Sequence, residues 1–280
     1  MIFHSARFAG ARQSTALTLD AVRAIAPSAF ATTAHESRSD RYTYIPTSTV
    51  IEAMMREGFQ PFKAAQGNSR IEGKREYTKH MIRFRHQSAI EVKVGDSVPE
   101  VVLINSHDGT SAYKLIAGIF RLVCSNGLVV AESTTGSLNI AHKGDVVANV
   151  IEGSFQIVDE SRKALGVTEN WSRLQLTSGE QQAFAEAAHV VRFADSEGKV
   201  ETPITAAQLL RPRRSEDTNS DLWRTFNRVQ ENVVRGGIHG YDSTARRRVS
   251  TREVKGIDQD VKLNRALWTL AERMAELKSA

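Results

Sequence analysis

The sequence predicts an α+β protein: an antiparallel sheet with a central hairpin, flanked by helices, and a helical C-terminal part. Three observations carry that expectation. The densest apolar run, Asp96 to Val130, places the β-rich segment Val101 to Ile104 before Asp108-Gly109, a dipeptide that tolerates positive φ. Tyr113, Leu115, Ile116, Ile119 and Phe120 follow it, which is the pattern of a β-hairpin. Further strand-type segments lie upstream, and apolar residues spaced three and four apart dominate from Ser178 onward.

Taken in order, Thr18 caps a short helix running to Ile25 with Leu19, Val22 and Ile25 on one face, and Pro27 stops it. The polar stretch from Ser28 to Arg41 suits a loop, and Tyr42 to Ile45 make a short strand that Pro46 closes. Thr47 is expected to cap a helix whose apolar face is Val50, Ile51, Met54 and Met55 and which ends at Gly58. Phe59 and Phe62 begin a second strand, broken at Gly67-Asn68 and Glu72-Gly73. From Tyr77 a longer strand places His80, Ile82, Phe84 and His86 on one face and Lys79, Arg83 and Arg85 on the other.

Beyond the hairpin, Asn126-Gly127 marks a turn, and Asp145 to Lys163 reads as a helix interrupted at Gly153. Ser178 opens a helix with Phe184, Ala188 and Val191 on one face and Glu180 near the positive end of its dipole. Gly198, Pro203 and Pro212 punctuate a linker. Asp221 to Arg235 is helical, with Leu222, Phe226, Val229 and Val233 on one side, Arg224, Arg228 and Arg235 on another, and Gly236-Gly237 at its end. The Arg- and Ser/Thr-rich segment from Gly240 to Gly256 reads as a mobile basic loop, and Ile257 to Leu277 as a last helix. The expected division is an α+β core domain over 1–195 and a basic helical region over 196–280.

At 280 residues and 41% hydrophobic, the chain can bury one sizeable core and a smaller second unit. The single cysteine, Cys124, is expected inside the return strand; it rules out an intramolecular disulfide and favours a reducing compartment. With no apolar leader segment and no run approaching the roughly 18 apolar residues of a membrane span, a cytoplasmic protein without membrane partners is expected. The net charge is +5 and the pI about 9.4. Basic charge is concentrated in two segments: eleven Arg and Lys against six Asp and Glu from Thr205 to Gly256, and ten against six from Glu36 to Arg85. Such a field favours polyanions.

The eight histidines include no His-x-x-x-His pair and there is no cysteine cluster, so neither metal nor cofactor is expected. Nucleophile-elbow, P-loop and dinucleotide fingerprints are missing too. The enzyme alternative is a metal-dependent nuclease or hydrolase built on His107, Asp108 and Glu100. The favoured reading is a nucleic-acid surface in which Arg38, Arg41, Tyr42 and Tyr44, then Lys74, Arg75, Lys79 and Arg83, interleave cations with rings, joined by Arg246, Arg247, Arg248 and Arg252. Cations neutralise phosphates, and rings stack on unpaired bases. The competing explanation is a solvated strand face and a flexible loop. A third reading has the basic helix Asp221 to Arg235 meeting an acidic host protein, as in an anti-defence module.

The segments His35 to Thr47, Ile104 to Tyr113, Gly118 to Leu128, Ala141 to Asp145 and Asp221 to Gly237 resemble the domain of unknown function 932 family. That resemblance implies a bacterial protein of plasmids, prophages or other mobile elements and hands over no catalytic residues. The order of elements around Tyr42 to Phe62 is also similar to the core of single-strand annealing proteins. This second likeness implies an oligomer holding single-stranded DNA in a basic groove, where Arg41, Lys74, Arg75, Lys79 and Arg83 are candidates by position and charge. The functional expectation is therefore a mobile-element protein that binds single-stranded DNA, promotes annealing without nucleotide hydrolysis, and forms a homo-oligomer.

Overall fold

The computed structural model describes residues 15–33, 35–36, 44–69, 71, 73–90, 97–121, 127–129, 137–142 and 144–279. The chain divides into two compact units, one of residues 1–128 with 139–158 and one of residues 129–138 with 159–280.

In the first unit, helix α1 (Leu19–Ile25) starts where its cap predicts, the Thr18 hydroxyl accepting from the Ala21 amide at 3.2 Å. Val22 is buried, whereas Ile25 lies exposed. Helix α2 (Thr47–Arg56) is capped by Pro46, so Thr47 is its first helical residue and its hydroxyl is directed elsewhere. Tyr44 and Ile45 are irregular backbone rather than strand. Gly58, at φ 87°, turns the chain out of α2 into strand β1 (Phe59–Gln66). Strand β2 (His80–His86) begins later than expected, because Arg75–Tyr77 form a 3₁₀ turn. A short α3 (Gln87–Ile90) follows, then β3 (Ser97–Asn105), β4 (Tyr113–Arg121), β5 (Gly127–Val129) and β6 (Ser137–Ile140).

Among the described residues these strands form one sheet in the order β1-β2-β3-β4-β5, with β6 also paired to β4. The β1/β2, β2/β3 and β3/β4 pairings are antiparallel. This is an α+β fold, and the central hairpin stands where the sequence places it, with Val102 opposite Ile116, Leu103 opposite Leu115 and Gly109 at φ 78° in the connection. Every residue of β3 is buried, so both faces of the sheet are covered. That explains why β3 reads as a continuous apolar run rather than an alternation.

One face carries Ile82, Phe84, Leu103 and Leu115, all essentially inaccessible, as are Val50, Ile51 and Met54 of α2. Burying each such side chain contributes about 1.5–3 kcal/mol. The other face holds charge: Arg83 Nε donates to Glu100 Oε2 at 2.5 Å and Arg85 Nε to Glu100 Oε1 at 2.9 Å, all three residues buried. The Arg85 guanidinium lies between the rings of Phe62 and Phe120, 4.0 Å from each centroid. A register shift between Pro61 and Lys63 gives Phe62 its place.

Helix α4 (Val146–Trp171) is continuous through Gly153, which is buried, so the expected interruption does not occur. The second unit takes the rest of α4, then α5 (Ser178–Phe193), α6 (Ala206–Leu209), α7 (Leu222–Arg235), β7 (His239–Asp242), β8 (Arg247–Ser250) and α8 (Ile257–Ser279). Helix α5 opens with a capping box between Thr177 and Glu180. Three tryptophans gather in its core: Trp171 lies 4.5 Å from Trp268, centroid to centroid, and Trp223 stacks on Phe226.

The Arg83–Glu100–Arg85 group generates a prediction. Glu100→Ala leaves two buried guanidinium groups without their shared carboxylate and should destabilise the protein by about 3–5 kcal/mol in urea unfolding followed by circular dichroism. A loss of only about 1 kcal/mol, the range of exposed ion pairs, would show the carboxylate to be dispensable.

Candidate nucleic-acid interface and a buried histidine network

The segment read as a mobile basic loop is an antiparallel hairpin. β7 and β8 pair His239 with Ser250, Gly240 with Val249, Tyr241 with Arg248 and Asp242 with Arg247. The Asp242 carboxylate ties the connecting turn by accepting from the amides of Thr244 (3.0 Å) and Ala245 (2.8 Å). Arg246 ends that turn at φ 48°, in the left-handed region. The residues paired across the strands also share a face. On one face sit Gly240 and Val249; a Cβ added at Gly240 would stand 2.9 Å from the Pro203 carbonyl oxygen and 3.0 Å from Ile204 Cδ1. Only glycine permits that approach. The opposite face carries His239, Tyr241, Arg248 and Ser250, all exposed, Tyr241 at 59%.

The base of the hairpin is held firmly. Gly237 N donates to Thr251 O (2.8 Å), Thr251 N to Ile238 O (2.9 Å), and Gln208 Nε2 to His239 O (2.8 Å). Arg192 donates to the carbonyls of Val233 and Arg252 at 3.2 Å each, while Arg213 donates to Asn232 Oδ1 (2.7 Å) and to the Gly236 carbonyl. Gly236, at φ 64°, leaves no room for a side chain: a Cβ there would meet the Arg252 carbonyl carbon at 2.6 Å. From this base project Arg246, Arg247, Arg248, Arg252 and Lys255, all exposed and none with a carboxylate partner among the described residues.

The other candidates fall differently. Arg38, Arg41, Tyr42 and Cys124 lie outside the described residues. Arg83 is interior, which removes it from any phosphate track. Lys79 is half-buried, and half-buried Lys74 stands close enough to Asp108 to favour its ionised form. Arg75 is exposed on its 3₁₀ turn. The Tyr44 hydroxyl donates to the Ala31 carbonyl, and its half-buried ring packs 5.1 Å from the His107 ring.

Helix α7 is no free basic surface either. Arg228 is buried and donates to the carbonyls of Asp217 and Thr218, to Gln181 Oε1 and to Thr225 Oγ1. Glu231 takes two bonds from Arg214 and one from Arg235. The proposed trio His107, Asp108 and Glu100 is not one site. Glu100 and Asn105 lie on the same extended strand, five residues or about 17 Å apart, and Glu100 is enclosed by Arg83 and Arg85.

What the sequence reading missed is a polar row across one end of the sheet: Gln66 opposite His80 opposite Asn105, with Thr47 of α2 set above it. Thr47 Oγ1 lies 2.9 Å from His80 Nε2, 3.1 Å from His107 Nε2, 3.0 Å from Asn105 Nδ2 and 3.3 Å from the Tyr113 hydroxyl. The hydrogen count assigns the protons. A hydroxyl donates once and accepts twice. Asn105 donates to Thr47, and Tyr113 donates to the Ile45 carbonyl at 3.0 Å. His80 Nδ1 faces the Thr78 carbonyl (3.3 Å) and Ser28 Oγ (3.0 Å), so it holds a proton and its Nε2 accepts from Thr47. His107 then donates Nε2–H to Thr47. Its Nδ1 is a buried acceptor with no hydrogen-bond partner among the described residues. The same parity that put His80 beside Ile82 was the sequence signal for this row.

Over residues 34–268 the chain matches the family described as Domain of unknown function (DUF932). The chain belongs to that family. Two Escherichia coli K12 proteins, UPF0380 protein YafZ and UPF0380 protein YfjQ, are each 46% identical to it over 269 residues, covering 94% of this chain and 93% of theirs. No solved structure matches. Among the described residues of this DUF932 protein, no group of three or more His, Cys, Asp or Glu could hold a metal ion, and no helix is long and apolar enough to cross a membrane.

The network has a pH consequence for this DUF932 protein. Burial first, then the charge of His107, lowers His80 to about 3; burial first, then His142, lowers His107 to about 4. Asp108 is held below its usual value, because bonds from Thr110 and the charge of Lys74 outweigh its partial burial. Both histidines are neutral when folded and titrate near 6.5 when unfolded. The unfolded chain therefore takes up protons first as pH falls, so this contribution is present above pH 6.5 and is lost progressively below it, down to about pH 4 for His107 and about pH 3 for His80. At about pH 5 each histidine should cost about 2 kcal/mol. Urea midpoints at neutral pH and at about pH 5 read this loss, and His107→Gln, which keeps a donor for Thr47, should roughly halve it. An unchanged pH dependence in that variant would overturn the assignment.

Proposed function

We propose that this protein binds DNA, gripping the phosphate backbone with the exposed cations of the β7–β8 hairpin and of the segment that follows it. The observation that carries the reading is the set Arg246, Arg247, Arg248, Arg252 and Lys255, exposed on and after a hairpin with a fixed base and forming no salt bridge among the described residues, though Asp242 stands across the strand pair from Arg247. Phosphate contacts of this kind release condensed counterions, so affinity falls as salt rises. A DNA-binding role also suits the mobile-element setting that the family likeness implies. The strand-borne candidates add less to this surface, since Arg83 is interior.

Fluorescence anisotropy with labelled oligonucleotides between about 50 and 200 mM salt tests this. The log–log salt slope should fall by about 0.9 for each duplex phosphate contact removed, hence by about 2.7 in Arg246→Ala/Arg247→Ala/Arg248→Ala. Arg246→Gly separates binding from folding: glycine suits φ 48°, so stability should hold or rise while the slope falls by about 0.9. Binding that is absent at low salt, or indifferent to salt and to these substitutions, refutes the proposal.

A further inference from the structure

We infer that the hairpin enters the major groove of duplex DNA and that Arg248 reads base edges there; this rests on the DNA-binding proposal and goes beyond it in naming the form of DNA and the groove. A two-stranded antiparallel ribbon is an element the roughly 12 Å major groove admits, and the roughly 6 Å minor groove is too narrow for it. Four residues per strand span about 13 Å, the rise of about four base pairs at 3.4 Å each. Length and width both match a short stretch of groove floor.

The two faces of the ribbon support the same orientation. The base of the other face, at Gly240, lies against Pro203 and Ile204, and Asp242 and Arg247 follow on that face towards the turn. The outward face presents His239, Tyr241, Arg248 and Ser250 in register, and each can hydrogen-bond. Arg248 is the one with a fork that fits guanine O6 and N7 together. Arg246, at φ 48°, stands at the tip beyond that face, where a phosphate flanking a groove would run, while Arg247, opposite Asp242, belongs to the other face. Single-strand binding would call for a row of stacking rings. The outward face has one phenol, Tyr241. The anchoring bonds from Arg192, Gln208 and Arg213 fix the ribbon before it meets its partner, so little order need be gained on binding.

Three labelled probes of equal length and sequence decide the matter: duplex DNA, the single strand, and duplex RNA, whose major groove is too deep and narrow for side chains to read. The full-length protein should bind duplex DNA at least tenfold more tightly than either other probe, and netropsin, which occupies the minor groove, should not displace it. Selection from a random duplex pool should enrich guanine-containing sites, and Arg248→Ala should flatten that preference while Arg246→Gly, with its lowered salt slope, keeps it. Single-strand affinity equal to or above duplex affinity, displacement by netropsin, or an unchanged base preference in Arg248→Ala overturns the inference and leaves the DNA-binding proposal standing. Loss of salt-dependent binding to all three probes would instead remove the proposal itself.

Discussion

A charge shut away from water must find its counterpart inside the protein, and that demand sorts the arginines of this chain into two populations. Arg83 and Arg85 share Glu100 in the sheet, Arg228 is wrapped by carbonyl and hydroxyl oxygens in the second unit, and Arg214 forks onto Glu231. An unpaired guanidinium in those positions would cost several kcal/mol, so each partner is as much a part of the fold as the apolar core. The second population, on and after the β7–β8 hairpin, has no such obligation because water solvates it. Only cations of the second kind can exchange their hydration for a phosphate.

The same distinction decides what could be read in the sequence. The central hairpin was legible because both of its strands concentrate apolar residues around a glycine turn. The α1 start was legible because Thr18 is a cap residue that caps. Thr47 misled: its type suits a cap, but Pro46 takes that position and the threonine hydroxyl serves the histidines instead. Arg83 and Arg228 misled for another reason. A count of charges along a strand or helix assumes exposure, and the partners that bury these two, Glu100 and the carbonyls of Asp217 and Thr218, are separated from them in sequence. The β7–β8 pair gave no alternation because Val249 is the one apolar side chain on the face that also holds Gly240, Asp242 and Arg247, leaving polar residues on both faces.

The histidine network and the hairpin place polar groups under opposite rules. The Thr47 hydroxyl has its one hydrogen and both lone pairs engaged, and a further proton on His80 would put a third donor on it. Such an arrangement fixes one geometry, joining the start of α2 to the ends of β2 and β3. At the hairpin the bonds are confined to the base and the turn, where Asp242, Thr251 and Arg213 set the backbone, and the cationic side chains beyond them are left to solvent. A backbone fixed in advance needs no further ordering when it meets a partner, whereas each free arginine side chain still loses rotamer freedom if it is immobilised.

Arg246 argues most directly that these side chains matter beyond the fold. It holds φ at 48° in a turn whose other bonds come from Asp242, and a left-handed non-glycine residue costs of order 1 kcal/mol or more. Glycine or asparagine would sit there without that strain. An arginine that pairs with no carboxylate among the described residues, packs into no core and occupies a strained position contributes nothing to stability that a glycine would not exceed. Its guanidinium stands in water at the tip of the hairpin, where the cationic run Arg246 to Arg248 begins.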